Sequence, residues 1–296
     1  MTNGSLPIAV VGGSGLYELD LLESAEELRI DTPFGAPSDA LVRGTMAGRE
    51  VVFLSRHGRG HVYTPSEVPY AANIYALKSL GVREVVSVSA VGSLREDYAP
   101  GQLVVPDQIL DRTRGTRRST FFGDGVVAHV SFADPYCPRL RAELLDAAAE
   151  AGSPAHPAGT YVCMEGPQFS TRAESHLYRE WGMDIIGMTG LPEAKLAREA
   201  ELCYATLALV TDYDCWREDE SAVDALTVAE VMANNIATAR LVLEAALAPD
   251  GGKPRETTCT CADALANAVI TDPAAITPQA RERLSLFLGG GAGAAG

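Results

Sequence analysis

Two acidic residues follow a long apolar run in the C-terminal half of the chain. The run Leu202–Val210 is almost unbroken and stops at the four residues Thr211–Asp214, with the sequence TDYD. Such a run is typical of a strand buried on both faces of a parallel α/β sheet, and these sheets bind ligands at the carboxyl ends of their strands. A buried carboxylate beside a second one has a raised pKa and can donate a proton near neutral pH. Asp212 and Asp214 are therefore candidate catalytic residues, although Asp is also common in ordinary loops.

A basic segment with the chemistry of an anion site follows a predicted hairpin. Its strands are expected over 41–48 and 50–55, and the sequence SRHGRGH comes directly afterwards, at 55–61. An Arg fork and a His donor suit a phosphate group. A solvated basic loop would look the same, but the chain carries 24 basic and 39 acidic residues, so a local basic cluster is notable. Arg56 and His57 are candidate phosphate ligands.

Three further predicted strands end in small or hydroxyl-bearing residues. GGSG at 12–15 follows the first strand, SAVGS at 89–93 follows a strand over 84–88, and Thr189 precedes a helix over 191–200. Backbone N–H groups in such turns and at helix N-termini bind anions, and Ser14 and Thr189 add hydroxyl donors. The GGSG turn lacks the third glycine of a dinucleotide site, since Glu18 stands there. One α/β sheet that gathers these strand ends would place a phosphate site beside the acidic pair.

Bulk composition excludes several classes of function. The chain has 296 residues, 47% hydrophobic and 21% charged, with a net charge of −15, which argues against nucleic acid or an anionic membrane as partner. No apolar run approaches about 18 residues and the N-terminus does not read as a signal peptide, so we expect a cytoplasmic protein. The six cysteines form no CxxC pair, so no metal site is expected. Cys259 and Cys261 are expected to be free thiols rather than a strained disulfide.

The motifs as a set are similar to those of a known family. These motifs are GGSGLYE, RHGRGH, EGPQFSTRAES, MTGLPEAKLAREAELCYA and TDYDCW. Together they resemble the 5′-methylthioadenosine phosphorylases of the trimeric purine nucleoside phosphorylase superfamily, from about Pro7 to Pro249. The resemblance implies a single α/β domain with a central mixed, twisted β-sheet flanked by helices. It also implies a homotrimer, no cofactor, and inorganic phosphate as co-substrate in the cleavage of a 5′-modified 5′-deoxyadenosine to adenine and a ribose 1-phosphate.

The resemblance also assigns roles to matched positions. Phosphate would be held by Ser14, Arg56, His57, Ser89, Ala90 and Thr189. Phe169 would pack on the purine, Ile186 and Met188 would line the nucleoside site, Asp212 would share a proton with N7, and Asp214 would accept a hydrogen bond from the adenine amino group. The 5′ pocket would be lined by His61, Ala225, Val228 and Ala229, and His129 would reach in from a neighbouring subunit.

Departures from the family pattern keep alternatives open. Gly187 stands where Asn is usual and Gly190 replaces a common Thr, which gives weight to a 6-oxopurine nucleoside or methylthioinosine phosphorylase. An NAD(P)-binding oxidoreductase built on the GGSG turn and a non-catalytic nucleoside-binding module are more distant alternatives. We expect the α/β domain over 1–249, a C-terminal helical extension over 250–288 with helices near 261–268 and 277–288, and a disordered tail over 289–296.

Overall fold

The structure is a computed structural model that describes residues 6–13, 22–217, 225–248 and 259–288, apart from the side chains at 225–227. Within these ranges ten strands form one mixed sheet. The strands are β1 (Ile8–Gly12), β2 (Glu23–Leu28), β3 (Leu41–Met46), β4 (Arg49–Ser55), β5 (Glu84–Ser93), β6 (Leu103–Val104), β7 (Gln108–Arg112), β8 (Thr160–Met164), β9 (Ile185–Gly187) and β10 (Cys203–Asp212). The helices are α1 (Tyr70–Ser79), α2 (Pro138–Glu150), α3 (Arg172–Glu180), α4 (Gly190–Glu199), α5 (Ala225–Leu247), α6 (Pro278–Arg283) and α7 (Ser285–Leu288), with 3-10 turns at Cys261–Asp263 and Pro273–Ala275.

The centre of the sheet is parallel and places several strand ends side by side. The main order is β2-β3-β4-β1-β5-β9-β8-β7, and β10 pairs with β5 and β6. Strands β4, β1, β5 and β10 all run parallel to their neighbours in this group. Strand β5 is long enough to pair with β1, β10 and β9, so the sheet branches there. The carboxyl ends of the central strands therefore meet at one edge.

Helices cover both faces of the sheet because the central strands are apolar on both sides. Ala9 and Val11 of β1 face a core that includes α1 and α4, whereas Ile8 and Val10 face a core that includes α2 and α5. This alternation follows from the two-residue period of a strand. The C-terminal helices α6 and α7 pack on the α1 side, where the ring of Phe287 stacks on that of Phe121 with centroids 4.4 Å apart.

The predicted fold class, a mixed sheet flanked by helices, is confirmed. The sequence analysis missed β2 and β7. Strand β2 has the polar, exposed sequence ESAEEL and shows no apolar alternation. Where it predicted a helix over 261–268, the structure has a single 3-10 turn, and 277–288 forms two short helices. The predicted domain boundary near 249 and the tail over 289–296 fall outside the described residues and stay predictions. Among the described residues, no helix combines the length and apolarity needed to cross a membrane.

Candidate active site

A cavity of about 690 Å³ opens at the carboxyl edge of the central strands. Most of the residues predicted for the site line it: Arg56, His57, His61, Ser89, Ala90, Phe169, Ile186, Met188, Thr189, Asp212, Asp214, Val228 and Ala229. Ser14 lies outside the described residues, and although Ala225 begins α5, its side chain is not described. His129 is exposed on the surface and is not among the residues that line the cavity.

One end of the cavity is lined by hydroxyl groups from two chain segments. Ser89 lies in β5 and Thr189 immediately precedes α4. Their oxygens, Oγ and Oγ1, lie 3.3 Å apart and both residues are buried. Two neighbouring hydroxyls can each donate a hydrogen bond to the same anion. This end of the cavity has the chemistry expected of a phosphate site.

Arg56 forms a buried ion pair that the sequence analysis did not predict. Its Nε donates to Glu193 Oε2 at 2.7 Å and its Nη2 to Glu193 Oε1 at 3.0 Å. Burial alone would lower the pKa of Arg56, but Glu193 outweighs that effect, so the net pKa is raised and the guanidinium stays charged. Glu193 fixes the orientation of Arg56, and nothing in the spacing of SRHGRGH signals a partner 137 residues away.

The remaining donors of Arg56 point mainly at the sheet. Nη2 also donates to Val11 O and Ser87 Oγ, and Nη1 donates to Val88 O at 3.1 Å. A guanidinium carries five N–H groups, two of them on Nη1. The bond to Val88 O is the only one that Nη1 makes within the described residues. Arg56 also lines the cavity. One N–H therefore remains for a bound anion.

His57 is held as a neutral ring beside this charge. Burial, with smaller contributions from the charges of Arg56 and His61, lowers the pKa of His57 to about 4. Its Nδ1 lies 2.9 Å from Tyr63 O, an acceptor, so Nδ1 carries the proton and Nε2 is left as an acceptor. The His57 ring stacks on His61 with centroids 4.3 Å apart. His57 is thus suited to accept a hydrogen bond from a protonated phosphate or a ribose hydroxyl.

Asp212 is aimed into the cavity by an irregularity at the end of β10. The β10–β5 register shifts between Val210 and Asp212, so Thr211 is skipped and Asp212 pairs with Gly92. Thr211 Oγ1 donates to Asp212 Oδ2 at 2.7 Å, and Asp214 N donates to Oδ1 at 2.8 Å. Burial raises the pKa of Asp212, although these two hydrogen bonds act in the opposite direction. A raised pKa makes Asp212 suitable as a proton donor.

Asp214 supplies a second carboxylate at the same edge. Its backbone φ is +51°, a left-handed conformation that Asp tolerates better than most residues. Burial and the neighbouring charge of Asp212 raise its pKa. The hydroxyls of Ser175 and Ser170 beside it act in the opposite direction. Asp214 lines the cavity, so its carboxylate can accept a hydrogen bond from a ligand there.

The opposite wall is apolar and comes from α5. Val228, Met232 and Ile236 recur every four residues and all line the cavity, as one face of a helix would. The sequence analysis placed Val228 in the 5′ pocket but did not name the other two as cavity residues. Phe169 stands at the cavity with 44% of its side chain exposed. A large aromatic ring left open to solvent here is free to stack on a flat ligand.

The loop after β7 ties the cavity wall in place through a residue that the sequence analysis missed. Arg117 is buried, and its Nη1 donates to Met188 O at 2.6 Å and to Leu191 O at 2.8 Å. Its Nε donates to Glu165 Oε1 at 3.1 Å. Arg117 therefore fixes the backbone on both sides of Thr189, and the basic composition of 112–118 was the only sequence signal.

Packing explains the two glycines that depart from the family pattern. A Cβ at Gly187 would lie 2.8 Å from Tyr161 Cζ, and a Cβ at Gly190 would lie 2.8 Å from Tyr161 Cε1. Tyr161 is fully buried on β8, so it cannot move aside at low cost. Gly187 is therefore required by Tyr161, and Gly190 by Tyr161 together with Ile109, whose Cδ1 would also lie 2.8 Å from the added Cβ.

Side chains able to hold a metal converge at one place in the described part of the chain. The one cluster of three or more His, Cys, Asp or Glu ligand atoms found there is formed by Cys137, Cys203, Cys259 and Cys261, none of which lines the cavity. The described residues of the cavity thus offer hydrogen-bond donors, two carboxylates and an apolar wall.

The chain is similar in sequence and in structure to known phosphorylases. Residues 7–248 match the family model described as the Phosphorylase superfamily. The S-methyl-5′-thioadenosine phosphorylase of Geobacter sulfurreducens is 54% identical over 282 residues, covering 95% of this chain and 98% of that protein. A crystal structure of methylthioadenosine phosphorylase from an Antarctic soil metagenomic library is 51% identical with a TM-score of 0.89, covering 97% of this chain and 100% of the other. Methylthioadenosine phosphorylase from Schistosoma mansoni in complex with adenine is 38% identical with a TM-score of 0.82, covering 88% and 97%.

Proposed function

This chain belongs to the phosphorylase superfamily, and on that basis we propose that it cleaves 5′-methylthioadenosine with inorganic phosphate. A phosphate oxygen forms a bond to ribose C1′ while the bond from C1′ to purine N9 breaks, and its electrons pass into the purine. A proton delivered at N7 neutralises the leaving base. The products are adenine and 5-methylthioribose 1-phosphate.

A single cavity holds a hydroxyl-lined end, two carboxylates and an apolar wall, and this arrangement carries the proposal. Phosphate, the co-substrate, binds Ser89, the Ala90 backbone, Thr189, Arg56 and His57, with Ser14 as a further ligand. The neutral His57 accepts a hydrogen bond without adding charge. These groups hold the attacking oxygen on one side of C1′ and lower the entropy cost of the attack.

The base lies between Phe169 and the two carboxylates. Asp212, with its raised pKa, donates to or shares a proton with N7. Asp214 accepts a hydrogen bond from the amino group at the 6-position, because a carboxylate accepts and an amino group donates. A 6-oxopurine offers an acceptor there, so Asp214 favours adenine. Ile186 and Met188 line the nucleoside between base and phosphate.

The 5′ substituent lies against α5. Val228, Met232 and Ile236 present an apolar face that suits a methylthio group, with Ala229 and His61 beside it and Ala225 at the start of the same helix. A charged or hydroxyl-bearing 5′ group would lose hydrogen bonds to water there without replacement.

The chain is proposed to work as a homotrimer in which His129 completes a neighbour's site. His129 is exposed, and its backbone N–H donates to Ala268 O at 2.9 Å. Val127 and Ile270 beside it are 45% and 63% exposed, which leaves apolar surface for a neighbouring subunit to cover.

The test is adenine release from 5′-methylthioadenosine with and without phosphate, run beside 5′-methylthioinosine and inosine. We expect release that requires phosphate and is fastest with 5′-methylthioadenosine. The Asp212→Asn variant should lose at least about a hundredfold in turnover while phosphate affinity changes little. Cleavage of inosine faster than that of 5′-methylthioadenosine would contradict the assignment of adenine as the base. Binding of the nucleoside without turnover would contradict the proposal that the chain is an enzyme.

A further inference from the structure

Four cysteine side chains from three separate parts of the chain meet at one point. Cys137 is the residue before α2, Cys203 begins β10, and Cys259 and Cys261 open the C-terminal segment. Their sulfur atoms all lie within 4.8 Å of one another. The sequence analysis expected no metal site because no CxxC pair occurs among the six cysteines.

The spacing of the sulfurs suits tetrahedral metal coordination. Zinc–sulfur bonds of about 2.3 Å in a tetrahedron place the sulfurs roughly 3.8 Å apart. The contact between Cys203 Sγ and Cys259 Sγ is 3.4 Å, which is longer than a disulfide bond of about 2.05 Å. All four cysteines are free thiols. The sulfurs therefore converge as a group of four rather than as two bonded pairs.

The surroundings suit a closed and negatively charged site. Cys137 and Cys261 are fully buried and Cys203 is nearly so. Cys137 is the N-cap of α2, a helix of 13 residues. Arg139 in the first turn of that helix pairs with Glu84 and Glu143 at 2.6 Å each. A helix N-terminus thus adjoins the cluster, and its positive end stabilises thiolates.

We propose that Cys137, Cys203, Cys259 and Cys261 bind one zinc ion as a structural site. Four thiols each release a proton and the four thiolates donate to Zn²⁺, so the site carries a charge of −2 that the α2 N-terminus offsets in part. Four protein ligands leave no open position for a substrate, as is usual in structural rather than catalytic zinc sites.

The position of the four-cysteine site in the fold indicates a structural role. Cys203 and Asp212 are the first and last residues of β10, so the cluster lies at the opposite edge of the sheet from the cavity, about 30 Å away. The ion links the C-terminal segment to the start of β10 and the start of α2. Zinc therefore stabilises the fold and leaves the chemistry of the cavity unchanged.

The experiment uses the full chain, purified without oxygen and without added thiol reductant. Zinc per chain is measured by mass spectrometry after addition of zinc sulfate and removal of loosely bound metal. In parallel, cobalt chloride replaces zinc, because tetrahedral thiolate-bound Co²⁺ shows characteristic visible bands. Free thiols are counted after denaturation with a chelator present. Cys137→Ser and Cys259→Ser are compared with Cys163→Ser, a buried cysteine outside the cluster.

We expect one zinc per chain, the tetrahedral cobalt spectrum and six free thiols in the unaltered protein. Cys163→Ser should keep its zinc, and the two cluster variants should lose it. Removing zinc should lower the thermal midpoint but leave kcat for the nucleoside within about twofold at temperatures where the protein stays folded. The cobalt spectrum of the unaltered chain tests the site even if a cluster variant fails to fold. Fully reduced protein that takes up neither metal, or two free thiols with the other four in disulfides, would overturn the proposal.

Discussion

Gly92 leaves room for the carboxylate of Asp212. The two residues are paired across β5 and β10, and a Cβ at position 92 would lie 2.9 Å from Asp212 Oδ1. Contacts shorter than 3 Å between a Cβ and an oxygen force one of the groups to shift. The candidate proton donor is therefore positioned by the absence of a side chain on the neighbouring strand as well as by its hydrogen bonds.

The Gly92→Ala variant should displace Asp212 and slow the reaction. Because a misplacement of about 1 Å can cost a hundredfold in rate, we expect kcat to fall by about 10- to 100-fold while the KM for phosphate changes little. Steady-state kinetics with both substrates measure this, and the thermal midpoint reports whether the fold is intact. A variant that folds and keeps its kcat would show that the position of Asp212 is not critical.

Replacing Asp214 should change the preference for the base. The amide of Asp214→Asn can donate to a 6-oxo group, whereas the carboxylate can only accept. We expect the ratio of kcat/KM for 5′-methylthioadenosine over 5′-methylthioinosine to fall by about 10- to 100-fold. Asp97→Asn, at an exposed carboxylate that does not line the cavity, serves as the control. An unchanged ratio would remove Asp214 from base recognition.

The ion pair between Arg56 and Glu193 should be a major support of the fold. Glu193→Gln leaves the buried guanidinium without its counter-charge, and loss of one partner of a buried pair costs about 3–5 kcal/mol in the free energy of unfolding. Tyr204→Phe removes only the 3.0 Å hydrogen bond to Glu193 Oε1 and should cost about 1 kcal/mol. Denaturant titration measures both. Equal losses in the two variants would mean that the charge itself contributes little.

The contact between Tyr161 and Gly187 can be tested by restoring the residue usual in the family. Gly187→Asn alone overpacks the wall and should cost at least about 1–3 kcal/mol in the free energy of unfolding. Tyr161→Ala removes the obstructing ring but leaves a void. In the double variant the asparagine occupies part of that void, so the combined loss should be smaller than the sum of the single losses. Additive losses would show that the two positions are not coupled.

The stability of the protein should fall as the pH falls through the range set by His57. Its pKa is lowered from an ordinary value of 6.5 to about 4 in the fold, so between these values the unfolded chain binds more protons than the folded one. His57 then contributes a loss of up to about 1.4 kcal/mol per pH unit as the pH drops from 6.5 toward 4, with none added below.

The measurement for His57 is the free energy of unfolding against pH in phosphate-free buffer. His57→Gln should show a shallower slope between pH 6.5 and 4 than the unaltered chain, because Gln does not titrate. His176→Gln, at an exposed position on α3, is the matched control and should follow the unaltered chain. Identical slopes in all three proteins would contradict a buried neutral His57.

The sequence by itself determined the fold class and the edge of the sheet that carries the cavity. Long apolar runs dictate strands buried on both faces, and the polar residues that end those runs must gather where parallel strands end. Arg56, His57, Thr189, Asp212 and Asp214 could be placed this way, because each directly follows such a run.

Only the tertiary structure decided which distant groups support those residues. Glu193 pairs with Arg56 across 137 positions, Arg117 reaches Met188 from another loop, and Tyr161 fills the space beside Gly187. The four cysteines are likewise far apart in the chain except for one pair. Local patterns report the periodicity of helices and strands, whereas these contacts depend on how the strands are ordered in the sheet and packed, which no short segment encodes.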